Sequence, residues 1–198
     1  MKTPQEYRRG NVKEILSRTL KTTITKLTPL SITVKESLQN DFTRVDFSFK
    51  EEHGDICRNI DLKEVPGSGF MDSLFGGCLR EYSDKYDSLS NIILVDLRIN
   101  PLFSMSRNTI RTDAKTDVSI CVEIKNHGTA EFRSRSRSII YSSFVATLEA
   151  FQFYINCQRT FEKLNWIRKD AIQRNRADTV QTCLADMSAV AEMNVYAK

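Results

Sequence analysis

Two ten-residue stretches decide the fold: KEEHGDICRN at residues 50–59 and IKNHGTAEFR at residues 124–133. They contain both histidines of the chain, His53 and His127, and each histidine is followed by glycine. Before the first lies RVDFSFKEE, which puts Val45, Phe47 and Phe49 on one face of a strand. After it, ICRNIDLKEV reads as a second strand, so His53–Asp55 is the turn of a hairpin. The second stretch repeats the pattern. DVSICVEIK places Val118, Ile120, Val122 and Ile124 on one face, and TAEFRSRSRS returns as a strand. Both histidines are therefore read as turn residues, with glycine supplying the positive φ that a tight turn needs.

Outward from the hairpins, the order repeats. SITVKESL is a strand ahead of the first hairpin, and NIILVDLRI one ahead of the second. Each hairpin is followed by a helix. PGSGFMDSLFGGCLREYSDKY opens on glycines and carries the stripe Met71, Leu74, Phe75, Cys78, Leu79 and Tyr82. IIYSSFVATLEAFQFYINCQRTFEKL follows Ser138, a suitable N-cap. The expected fold class is α+β: two duplicated βββα units with pseudo-two-fold symmetry, one sheet face carrying two helices and the opposite face free to dimerise. Helical extensions flank this domain. Residues 5–27 form an amphipathic helix on Val12, Ile15, Leu16, Leu20, Ile24 and Leu27, with Pro29 as a break. The segment from Trp166 to Met193 is helical again. Expected boundaries are 1–28 for the first extension, 29–164 for the domain, in halves 29–88 and 89–164, and 165–198 for the second.

Composition narrows the function. The net charge of +4 comes from 29 basic against 25 acidic residues of mixed placement, which gives no footprint for nucleic acid. No apolar run reaches the roughly 18 residues of a membrane span, and the first residues lack the apolar core of a secretory signal. The expected location is the cytoplasm, with no membrane partner. The five cysteines are widely spaced without a CxxC pair, so no metal site and no cofactor are expected, and the thiols read as free and buried. No paired carboxylates and no nucleophile placed beside a base point to catalysis. The chain is read as not an enzyme.

Four motifs carry candidate functions. Gly67, Ser68 and Gly69 either let a ligand approach the following helix N-terminus or simply turn the chain. Asp72 complements the helix dipole or receives a ligand ammonium group. Arg133, Arg135 and Arg137 share one strand face, as an anion-binding stripe or a solvated edge. NPLFSMSRNTIRTDAK is a long, irregular polar loop, and long loops in compact domains are often functional or mobile.

The residues Gly67, Ser68, Gly69, Phe70, Met71, Asp72 and Ser73, the Asp113–Ala114 step before a strand, and Ser138, Ile139, Ser142, Ser143, Ala146 and Ala150 together resemble one family. It is the C-terminal regulatory, allosteric dimerisation domain of the α-isopropylmalate and citramalate synthases, and the resemblance covers roughly residues 30–160. Phe70 stands where that family has proline, Ser138 where it has aspartate, and FRSRSRS where it has a glycine-containing strand end. The chain is too short for the family's catalytic barrel and has no His-x-His motif. The resemblance implies a homodimer that binds a small amino-acid effector of the leucine or isoleucine class and acts on a catalytic synthase subunit. It implies an effector pocket formed by Gly67, Ser68, Gly69, Met71, Asp72, Leu94, Leu97, Pro101, Ala114, Ser138, Ile140 and Ser142; the alternative for its apolar members is ordinary core. The departures leave a second expectation, a dimeric interaction or scaffold module that has lost the pocket.

Overall fold

The computed structural model describes residues 4–37, 39, 42–102, 115–125 and 128–193. Helix α1 (Pro4–Leu20) is followed by strands β1 (Thr25–Ser37), β2 (Phe42–His53) and β3 (Ile56–Gly67) and helix α2 (Phe70–Tyr82). Then come β4 (Ile92–Leu102), β5 (Lys115–Ile124), β6 (Gly128–Ser136), the long α3 (Ile139–Gln173) and α4 (Ala177–Ala191). The chain is mixed α/β, with two three-stranded antiparallel sheets ordered β1-β2-β3 and β4-β5-β6. The expectation of a single sheet face carrying both helices is corrected: each hairpin pairs with the strand before it, and among the described residues no ladder joins the two sets.

The hairpin of β2 and β3 is as tight as its sequence implies. His53 pairs with Ile56, and Gly54 takes φ +58° as the first of two loop residues. His53 itself is the last rung of β2 rather than a turn residue, because Gly54 and Asp55 alone make the loop between His53 and its partner Ile56; its Nε2 lies 3.3 Å from an Arg159 guanidinium nitrogen. Gly128 opens β6 at φ +98°, while His127 lies outside the described residues. A bulge interrupts β3 where Lys63 and Glu64 oppose Asp46. Glu64 pays for a left-handed φ of 49° there with three contacts: its N–H donates to Asp46 Oδ1 (2.6 Å), and its carboxylate accepts from Lys35 (2.6 Å) and Arg44 (2.7 Å).

Three expected boundaries move. The first helix stops at Leu20, and the segment expected to end it instead starts β1 at Thr25, since β-branched Thr25 and apolar Leu27 fit a period of two. Pro29 sits within β1, at a register shift between Pro29 and Ser31, where a missing N–H is tolerated on an outer strand. Strand β4 continues to Leu102 and β5 starts at Lys115, so most of the expected loop lies outside the described residues. Helix α3 runs unbroken past Trp166, and the chain turns only at Arg174–Arg176.

Helix α3 organises the core. Between Ser142 and Gln158 it is buried on nearly every side, as expected of a helix with a layer on each flank. Phe144 meets Phe47 and Phe49 of the first sheet edge-on. Phe153 and Tyr154 meet Phe132 of the second. Phe151 packs on Phe75 and Tyr82 of α2. Helix α1 buries Val12, Ile15, Leu16 and Leu20, and lays Arg9 over the Phe132 ring at 4.0 Å. Helices α1 and α4 are joined by the Arg18–Asp186 ion pair. Cys78, Cys157 and Cys183 are buried free thiols, and burial pushes all three pKa values up. Cys57 is exposed and Cys121 half-buried, which corrects the expectation of five buried thiols.

Helix α2 approaches the first sheet closely because Gly77 has no side chain. A Cβ there would lie 2.8 Å from Phe47 Cζ and 3.1 Å from Val65 Cγ1. Gly77→Ala gains about 1 kcal/mol of helix propensity, but the overpacking costs more, so a net loss of about 1–2 kcal/mol is expected in urea unfolding.

Candidate functional site

The residues singled out in the sequence fall into three places. The first is the junction between β3 and α2. Gly67 ends β3 with its Cα against the first turn of the helix: a Cβ would lie 2.6 Å from the Ser73 backbone nitrogen and 2.5 Å from Ser73 Oγ. Gly67 is thus required by close approach of strand and helix. Gly69 is the N-cap, in an extended conformation that any residue adopts. Asp72 is exposed, and its Oδ2 accepts from Ser68 N–H (2.9 Å) and Ser68 Oγ (3.2 Å). The helix dipole favours that carboxylate, and Asp72 closes the turn as a local cap. Met71 is half-buried on the core.

The second place is the junction between β6 and α3, built from serines. Ser138 Oγ accepts from Tyr141 N–H at 3.2 Å, the capping bond expected of it. Ser136 Oγ accepts from Ser138 N–H (3.0 Å), donates to the Ser138 carbonyl (2.8 Å) and lies 2.7 Å from the fully buried Ser142 Oγ. Ile139, Ile140 and Tyr141 are exposed around this start. Leu94 and Leu97 lie half-buried on the inner face of the second sheet, opposite Val122 and Ile120, and Pro101 is exposed opposite Thr116. Ala114 lies outside the described residues.

The third place is the outer face of the second sheet. Asp96 and Arg98 of β4, Ser119 and Cys121 of β5, and Thr129 and Glu131 of β6 line a shallow polar recess of about 200 Å³. Its charges alternate. Arg98 bonds Asp96 (2.8 Å), Arg133 bonds Glu131 (2.7 Å), and Arg135 approaches Asp117 (3.5 Å). The Arg133 bond, above all, holds the Glu131 carboxyl below the usual carboxylate range. The arginine stripe is therefore matched by acids on its own face, with Arg137 beyond the end of the strand.

A fourth constellation was not anticipated. Glu51 is nearly buried on the inner face of β2, where its Oε2 accepts from Arg58 twice (2.6 and 2.9 Å) and from the Tyr82 hydroxyl (3.0 Å). Burial, reinforced by Glu51, raises the Tyr82 pKa, while the Glu51 bond raises that of Arg58. Beside it, Asn156 of α3 accepts from Thr25 N–H and donates to the Thr25 carbonyl, both at 2.8 Å. Gln152 accepts from Leu27 N–H at 2.9 Å. Arg159 bonds Thr25 Oγ1 and lies by His53, and burial lowers its pKa. The signal for Glu51 was present: it continues the inward phase of Val45, Phe47 and Phe49, and Arg58 faces it across the hairpin. Chemically these groups tie α2 and α3 to the first sheet.

No family model matches the chain, and no curated protein matches it. Among the described residues, no helix is long and apolar enough to cross a membrane.

Proposed function

We propose that the chain is a non-catalytic regulatory domain protein, similar to the leucine- and isoleucine-sensing dimerisation domain of isopropylmalate-type synthases. Its two βββα units are related by a pseudo-two-fold axis. As a homodimer in the cytoplasm it binds a small amino acid or related acid and acts on a partner catalytic subunit. The observation that carries this reading is the matched pair of strand–helix junctions. Each three-stranded sheet delivers its last strand directly into a helix, and each helix start presents small polar residues at the surface: Ser68 and Asp72 on α2, Ser138 on α3. Helix N-termini favour a carboxylate, and Asp72 suits an ammonium group. Binding there acts by linkage, biasing a quaternary arrangement with a coupling free energy of typically about 1–3 kcal/mol.

Calorimetric titration with leucine, isoleucine and valine tests the placement. Asp72→Ala and Ser138→Ala are expected to weaken binding at least about tenfold, while loss of a cap costs only about 1 kcal/mol of stability and leaves the domain folded. Unchanged affinity in both variants contradicts the placement. A second reading, a dimeric scaffold module without the pocket, draws on Asp72 and Ser136, whose bonds already serve the chain's own helix starts.

A further inference from the structure

The sheet margins are treated unequally. At the start of β1, Asn156 and Gln152 of α3 bond the outward backbone groups of Thr25 and Leu27. At β6, Arg9 donates to the Glu131 carbonyl. Strand β4 is also marginal, and among the described residues its ladder runs to β5 alone. It is 11 residues long and exposes Ile93, Val95 and Ile99 at 54%, 43% and 41%. A long apolar edge strand is a template for pairing with another chain, and so a liability unless that pairing is its purpose.

The sequence of β4 names its partner. Around Leu97 it reads Asp96-Leu97-Arg98, and it is self-complementary under an antiparallel two-fold operation through Leu97. Asp96 then faces Arg98 of the second copy and Arg98 faces its Asp96, twice over by symmetry. Both charges project from the outer face, since Asp96 pairs with Cys121 and Arg98 with Ser119. On the inner face Leu97 meets its own symmetry mate. Beyond the bulge between Leu94 and Asp96, Leu94 and Val95 oppose Ile99 of the second copy, apolar against apolar. We infer that β4 is the homodimer interface, joining two copies into a continuous six-stranded sheet. This specifies the surface for the dimer proposed above and rests on that reading only for the expectation that a dimer exists. It also sets Asp96 and Arg98, which line the polar recess, at the boundary between copies.

Charge exchange tests the inference, with the full chain followed by sedimentation equilibrium. Asp96→Arg or Arg98→Asp sets like charges opposite each other at both rungs, and each is expected to weaken dimerisation roughly 10- to 100-fold. The double variant Asp96→Arg/Arg98→Asp restores it. An equimolar mixture of the two single variants also restores it, because their charges are complementary, and a merely misfolded variant does not show this rescue. A wild-type dimer unaffected by either exchange overturns the β4 interface while leaving the dimeric regulatory reading in place. Single variants that weaken the dimer without rescue in the mixture overturn it as well. A wild-type monomer at the highest soluble concentration overturns both the interface and the dimer, and leaves effector binding to calorimetry.

Discussion

Phe151→Ala is expected to destabilise the chain by about 3–5 kcal/mol, the cost of truncating a large aromatic in a core that cannot collapse around the gap. Phe151 is fully buried, with ring centroids 5.1 Å from Phe75 and 6.4 Å from Tyr82. It lies where α3 crosses α2, and α3 also carries the contacts to both sheets. Loss is therefore expected to be global, with a single cooperative transition at lower denaturant and an unchanged slope. Phe151→Leu, which keeps most of the volume, is expected to recover more than half of the loss. A Phe151→Ala variant within about 1 kcal/mol of the wild type contradicts the role given to α3.

Asn156→Leu is expected to cost about 2–4 kcal/mol, although it exchanges side chains of similar size. Its amide serves both polar groups of Thr25, which is 1% exposed, so leucine leaves a buried donor and a buried acceptor without partners. The penalty for unsatisfied backbone exceeds the gain from an added apolar group. Urea unfolding reads the loss, and hydrogen exchange places it: the amides of Thr25 and Leu27 are expected to exchange faster before those of β2 do. Equal protection in variant and wild type contradicts the account of this edge.

Much of the fold was legible in the sequence. The alternation of Val45, Phe47 and Phe49, and of Val118, Ile120, Val122 and Ile124, identified inner faces that the structure buries. Glycine after each histidine located the hairpin ends, since Gly54 and Gly128 both take positive φ. The division into two sheets was not legible, because a period of two says which face is buried and not which strands are neighbours. The first helix overran because Ile24 and Leu27 fit both periods. The continuity of α3 past Leu164 was hidden because Trp166 is 69% exposed, which blurs the apolar stripe.

The candidate site divides the same way. Local devices could be read: Ser138 caps α3, and Asp72 sits in the first turn of α2. Long-range partnerships could not. Ser73 against Gly67, Asn156 against Thr25 and Tyr82 against Glu51 each join different elements, and only packing brings them together. The sequence leaves the arginine stripe as either an anion site or a solvated edge, because Glu131 and Asp117, which face Arg133 and Arg135, lie two positions away or on another strand.

The proposed function requires that this chain sense a small amino acid. A thermal-shift screen of the full chain against the twenty amino acids and common 2-oxo acids tests it most directly. A ligand at 100 times its dissociation constant that binds only the folded state adds about 2.7 kcal/mol of stability. A selective upward shift with leucine, isoleucine or valine is the expected result. A folded, dimeric protein that responds to none of these ligands contradicts it and favours the scaffold.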